Sequence, residues 1–488
     1  MSDRWVRVVQ GLVLAVALAS ALGHVASELR RAPGNEWNDV RLAPSAGLLE
    51  GLPLYTPRDS GVLLGHVYGP LPVLFYGVPV WLASTPMLAI QLAILVGIAA
   101  LLVVLLPWVR DAGGTGYDLI WSVAVVLLLG RASAILWPVV YAVHPDVWSV
   151  TWALAGCALL SRSNHAGEDR TYLAGAGFCF AIAIGCKQTM VLAPLGAAAV
   201  LGLVLGPRAV WVFLGSVAVG GLSLIAMVSL LTDPGDMLWT AIHLPSLHPW
   251  RGPGGWSAII QSARDLIPRV APIALTLIAV AIVRKDIGSR LSIDLTAPWV
   301  LPLAVAVANI PMGLVGRAKM GGSMNTLAYS YAFVAFALIS AMVAITPQRR
   351  RVRWAQTAVL AVLLVGAGDP WNPQDPKAWL PGAERVSSGF GFALDHPGQV
   401  YFPFHPLIGY YADGKVYHVS DGIGFRQMSG VAVPREHILA HVPDDLQWIA
   451  TARLWPDAVL DYFTDCKLGE PPPGLVGWEV RACSPSGR

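Results

Sequence analysis

Long apolar stretches recur along this chain from its first residues to about residue 368, and no soluble fold of this length could hide them all. Candidate spans read at 6–26, 87–108, 117–133, 147–160, 171–186, 189–206, 209–231, 267–283, 297–315, 324–346 and 354–368. A straight helical crossing takes about 20 apolar residues, so the shorter runs are expected as short or broken helices among neighbours. Charged residues make up only 13% of the 488, against about 25% in an ordinary soluble domain. Lipid is therefore the solvent of this chain. The net charge of +3 does not point to nucleic acid.

Basic residues set the expected orientation. With Arg4 and Arg7 inside, Arg110, Arg162, Arg170, Arg208, Arg284, Lys285, Arg290 and the Arg349–Arg353 cluster also fall inside. That count holds only if 70–82, which carries Pro70, Pro72 and Pro79, is re-entrant or interfacial. Arg30, Arg31, Arg41 and Arg58 land outside, against the trend. Arg4 and Arg7 before Leu12–Leu22 superficially resemble a signal peptide; with so many later spans, the segment reads as a retained first helix.

The expected architecture is an all-α polytopic membrane protein of about eleven transmembrane helices with a small C-terminal α/β extracytoplasmic domain. Residues 1–368 form the membrane module, with outer loops at 27–69 and 232–266, and 369–488 the outer domain. Within that domain 398–411 and 415–419 read as strands around an Asp413-Gly414 turn. Residues 436–439 and 456–463 read as helical. Cys157, Cys179 and Cys186 sit in apolar runs as small buried thiols. Cys466 and Cys483 can pair if the tail faces an oxidising compartment.

Charged and polar residues in or beside the apolar runs are the candidates for chemistry. Glu36 and Asp39, three apart, share a face if helical; such carboxylates can take a proton, hold a cation, or simply cap a helix starting near Asn38. Asp146, after His144 and Pro145, suits an N-cap or a site. Lys187, before Gln188, breaks an apolar run, and a lysine there must meet an anion, a carboxylate or water. Arg317 and Lys319 flank a Gly321-Gly322 turn suited to phosphate or to anionic headgroups. His243 and His248 lack a zinc spacing. No Walker, dinucleotide or Gly-x-Ser-x-Gly pattern is present.

Taken in order, Glu36 and Asp39, Gly51 to Tyr55, Tyr68 to Pro70, Pro145-Asp146, Lys187 to Thr189 and Lys319 to Asn325 resemble the GT-C superfamily of polytopic glycosyltransferases. The resemblance is to its RgtA/B/C/D-type and protein-mannosyltransferase-like branch, and it covers most of 1–345. It implies transfer of a sugar from a polyprenyl-phosphate donor to a lipid, glycan or protein acceptor on the outer face of the cytoplasmic membrane. Asp39, supported by Glu36, would be the catalytic carboxylate, and Lys187, Arg317 and Lys319 would hold the donor phosphate. Tyr68, His144, Asp146, Gln188, His243 and Asn325 complete the expected substrate-binding set. Some members use a divalent cation such as Mg or Mn, although no residue pattern here demands one. Tyr68-Gly69-Pro70 replaces the more usual Tyr-Pro-Pro. The competing expectation is a transporter or lipid-linked-glycan flippase, which would show inverted repeats or broken-helix pairs.

Overall fold

A computed structural model describes residues 3–165, 169–252, 254–267, 297–345, 350–367, 380–452 and 458–483. Each expected span except 267–283, nearly all of which lies outside the described residues, coincides with helix. They are α1 (Asp3–Arg31), α2 (Glu36–Leu49), α3 (Leu71–Leu82), α4 (Pro86–Asp111), α5 (Gly116–Ala132), α6 (Trp137–Tyr141), α7 (Pro145–His165), α8 (Arg170–Cys186), α9 (Ala193–Val204) and α10 (Pro207–Val228). After short helices α11 (Pro234–Leu238) and α12 (Leu244–Leu247) and a helix at 255–267 (α13) come α14 (Val300–Ala318), α15 (Ala328–Ile345) and α16 (Arg350–Ala367). Among the described residues, five helical stretches are long and apolar enough to cross a membrane, at Trp5–Gly34, Pro86–Asp111, Pro207–Val228, Val300–Ala318 and Met324–Ala344. The chain is a multi-pass membrane protein. Many large side chains on these helices are exposed, such as Val103, Leu203, Trp211 and Leu222, as a lipid-facing surface requires.

Small residues set the helix contacts, as expected where lipid removes the hydrophobic drive for association. A Cβ at Gly177 of α8 would lie 2.6 Å from the Phe213 carbonyl of α10, so only glycine permits that approach. The 70–82 stretch is helical, though only 12 residues long, and it packs on α2 and α4. Much of 27–69 and of 232–266 is helical too. Asn35, not a residue near Asn38, is the N-cap of α2, its side chain accepting the Trp37 amide at 3.3 Å.

The C-terminal part holds α17 (Leu380–Asp395), β1 (Val400–Tyr401), α18 (Pro406–Asp413), α19 (Ser420–Met428), α20 (Arg435–Leu439), β2 (Trp448–Thr451), β3 (Lys467–Gly469) and β4 (Glu479–Ala482). Its four-stranded sheet runs β1-β2-β4-β3, with β1 parallel to β2 and the other pairs antiparallel. Two strand expectations fail here. Of 398–411 only Val400–Tyr401 is strand, because Pro406 opens a helix at its first position. Gly414, at φ 68°, is the left-handed C-cap of that helix and not a hairpin turn, and 415–419 forms no strand. The expected helix at 456–463 is a single 3-10 turn, Leu460–Tyr462, its first residues lying outside the description. Cys466 and Cys483 form a disulfide beside β3 and β4.

Candidate functional site

Asp146 is the centre of a buried polar cluster that the helices bring together. It occupies the second position of α7, behind Pro145, and its carboxylate does not cap the helix as its sequence position suggests. Instead Oδ1 takes the Lys187 ammonium at 2.5 Å and the Tyr329 hydroxyl at 2.7 Å. Oδ2 lies 2.8 Å from His144 Nδ1 and 3.4 Å from the Asn325 amide. Asn325 also meets His144 Nε2 at 2.8 Å. His144 Nδ1 also accepts the Asp146 backbone N–H at 3.2 Å. His144 and Asp146 are fully buried and Lys187 is 4% exposed. A charge at such depth persists only with partners, and this carboxylate has four.

Three chain breaks deliver those side chains. α8 ends at Cys186, leaving Lys187 extended before a 3-10 turn. Asn325 lies in the 3-10 turn that leads into α15, and Tyr329 follows one helical turn later on the same face. Tyr68 comes from the first outer loop, pressed in because Gly69 packs directly on the Gly185 carbonyl, where no Cβ would fit. Its ring lies 5.4 Å from the Lys187 ammonium and 5.6 Å from the His144 ring.

Arg41, which the orientation rule counted as an outlier, is the second cation. It donates to the Val143 carbonyl at 3.1 Å and bears electrostatically on Tyr68, His144, Lys187 and Asp421. Asp421, on α19, went unnoticed in the sequence; its Oδ2 packs against Gly65. Burial pushes its carboxyl up to about 7, with Arg41 opposing and Glu36 reinforcing the shift. The folded chain thus holds this proton more tightly than the unfolded chain. The stabilisation is complete below the ordinary carboxylate pKa of about 4 and is lost as pH rises through about 7. The melting temperature should fall between about pH 5 and pH 8, and less so in Asp421→Asn; equal slopes would exclude this assignment.

The two first-loop acids part company. Asp39 is fully buried, accepts the Leu407 amide at 2.9 Å and lies 3.2 Å from His405 Nδ1. It thus serves as a cap, from another element, for the first turn of α18, which has no side-chain cap of its own. Burial raises its pKa against the pull of those two bonds. Glu36 is buried too, with Arg385 and Asp421 as charged neighbours.

The remaining expected residues lie at the same end of the molecule but mostly apart from the cluster. Lys319 donates to the Ser246 and His248 carbonyls at 2.8 Å each and lies over the Trp250 ring. Arg317 donates to the Gly322 carbonyl at 3.2 Å and faces Asp265 at 3.8 Å. His243 is exposed. Gln188 bridges two segments, donating to Val67 at 2.8 Å and Ala241 at 2.7 Å. It also lines an apolar cavity of about 200 Å³ walled by α8, α10, Tyr55, Pro70 and Ile242. Among the described residues, no three His, Cys, Asp or Glu side chains gather as a metal site.

No family model matches this chain, and no curated protein matches it in sequence. Solved structures do. ArnT from Cupriavidus metallidurans bound to undecaprenyl phosphate superposes with a TM-score of 0.57 at 12% identity, over 100% of this chain and 99% of that one. The apo state of the same protein gives 0.56 at 12% identity, over 96% and 97%. An oligosaccharyltransferase from Archaeoglobus fulgidus, in complex with zinc and sulfate, overlaps at 0.41 and 12% identity, over 90% and 68%. Only the first two superpose well enough to fix the fold. From end to end this chain has the fold of ArnT.

Proposed function

We propose that this protein is a membrane glycosyltransferase that moves a sugar from a polyprenyl-phosphate donor to a lipid, glycan or protein acceptor. One observation carries the reading. In a chain with the fold of ArnT, whose crystal structure holds undecaprenyl phosphate, an apolar cavity ends at Gln188, next to Lys187 and its buried acid. A prenyl chain would lie in that cavity while its phosphate meets Lys187, Arg41 and Tyr68. We place the reaction on the outer face of the cytoplasmic membrane, with the N-terminus cytoplasmic. Residues 1–368 then form the membrane module and 369–488 the extracytoplasmic part.

In the reaction, an acceptor oxygen attacks the anomeric carbon as its proton passes to a carboxylate, and the bond from that carbon to the phosphate oxygen breaks. Glu36, set beside Asp421, is the better placed first-loop base, because Asp39 already holds the start of α18. The two cations stabilise the departing phosphate in a site shielded from water. Lys319 acts at one remove, by fixing the segment 246–248 through the Ser246 and His248 carbonyls.

Purified protein in lipid nanodiscs, given polyprenyl-phosphate sugars and membrane acceptors, should release free polyprenyl phosphate. Glu36→Gln should lower that rate by about 10²–10⁴-fold without moving the melting temperature. Asp39→Asn should lower the melting temperature as well. Movement of intact donor across the bilayer with no cleavage would replace the enzyme by a flippase.

A further inference from the structure

Arg426, on α19, is a buried cation with too few partners. It is 4% exposed, its Nε and one terminal nitrogen meet no hydrogen-bond acceptor among the described residues, and the other reaches only Gly422 O at 3.4 Å. Trp239 covers one face of the guanidinium at 5.3 Å. The acid that acts on it most is Asp59, an exposed residue that forms no ion pair with it within 4.0 Å. Thr240, 5% exposed, likewise has a hydroxyl without a partner. Both line a small cavity with room for one compact group, together with Thr56 and His66.

Two Arg426 nitrogens and the Thr240 hydroxyl are left without partners among the described residues, whereas the Thr56 hydroxyl already donates to Val62 O at 2.5 Å. His66 is held neutral by burial and is tied to Gly69 O at 3.1 Å, so it brings no second charge. A planar guanidinium fork with a hydroxyl beside it matches a tetrahedral oxyanion. The cavity is distinct from the Lys187–Asp146 cluster, yet it borders it: the segment 65–67 lines this cavity and leads directly to Tyr68, and Gly422 follows Asp421. It also adjoins the apolar cavity, since Tyr55 and Ala241 line that one and their chain neighbours Thr56 and Thr240 line this one.

We propose that Arg426 and Thr240 form an anion site for one phosphoryl-class oxyanion, carried either on a lipid or as free phosphate, separate from the cations assigned to the donor. The site does not depend on the transferase reading, and its test reads binding alone.

Full-length protein in phosphatidylcholine nanodiscs would be melted in a titration of inorganic phosphate, with sodium chloride at matched ionic strength as control. The expected result is a saturable rise in melting temperature with phosphate only, its midpoint weakened about tenfold in Arg426→Gln. Thr240→Val should weaken it by about threefold. Nanodiscs doped with phosphatidic acid separate the sources. A raised midpoint for phosphate there identifies a lipid-borne anion, and an unchanged midpoint a free one; each presupposes the saturable site. Should Arg426→Gln not fold, Arg426→Lys keeps the charge without the fork and should still weaken the midpoint. Equal responses to phosphate and chloride, or variants that titrate like the natural chain, would mean that water alone fills the cavity and would overturn the proposal.

Discussion

Asp146→Asn should cost about 3–5 kcal/mol of stability, because it leaves the Lys187 ammonium buried against a neutral amide. Transfer should be lost with it, since Lys187 would no longer be fixed beside Tyr68. The loss of stability and the loss of activity can be separated. Replacing both partners, in Asp146→Asn with Lys187→Met, removes the unpaired charge, so most of the melting temperature should return. Activity should not return, because the cation itself is gone. A double variant no more stable than the single one would show that the pair is not the source of the destabilisation. A single variant that melts like the natural chain would show that Lys187 finds another partner.

Arg41→Gln should reduce the rate of donor cleavage by about 10²–10³-fold, the usual effect of removing one preorganised donor from a developing negative charge. Arg41 bears electrostatically on Tyr68, His144, Lys187 and Asp421, and is anchored on the Val143 carbonyl. Arg41→Lys should rescue little, since the compact ammonium lacks the planar fork that can grip a carbonyl and a phosphate with separate nitrogens. The loss should fall on turnover more than on donor affinity if the charge acts on the leaving group. An unchanged turnover in Arg41→Gln would remove this residue from the mechanism.

The membrane helices were legible because a span announces itself by length and apolarity, and each described one lies close to its expected place. The C-terminal part was not. Its aromatic run around Tyr401 alternates like a strand, but Pro403 and Pro406 cut it short, and Gly414 serves equally well as a helix cap or a hairpin turn. Within the site, Lys187 and Asp146 could be singled out because a charge beside an apolar run is anomalous. Tyr329 could not, since among its neighbours it reads as one more large side chain of α15. Asp421 and His405 sit in a region without motifs and reach α2 only through the fold, more than 350 residues along the chain. Arg41 did leave a trace, as a basic residue that breaks the expected positive-inside pattern.

The contact between Asp39 and the first turn of α18 means that the helices of the N-terminal part and the C-terminal part have no clean seam. A displacement of α18 would pull on the helix that also carries Glu36 and Arg41. Two regions more than 350 residues apart in the chain are thereby mechanically joined.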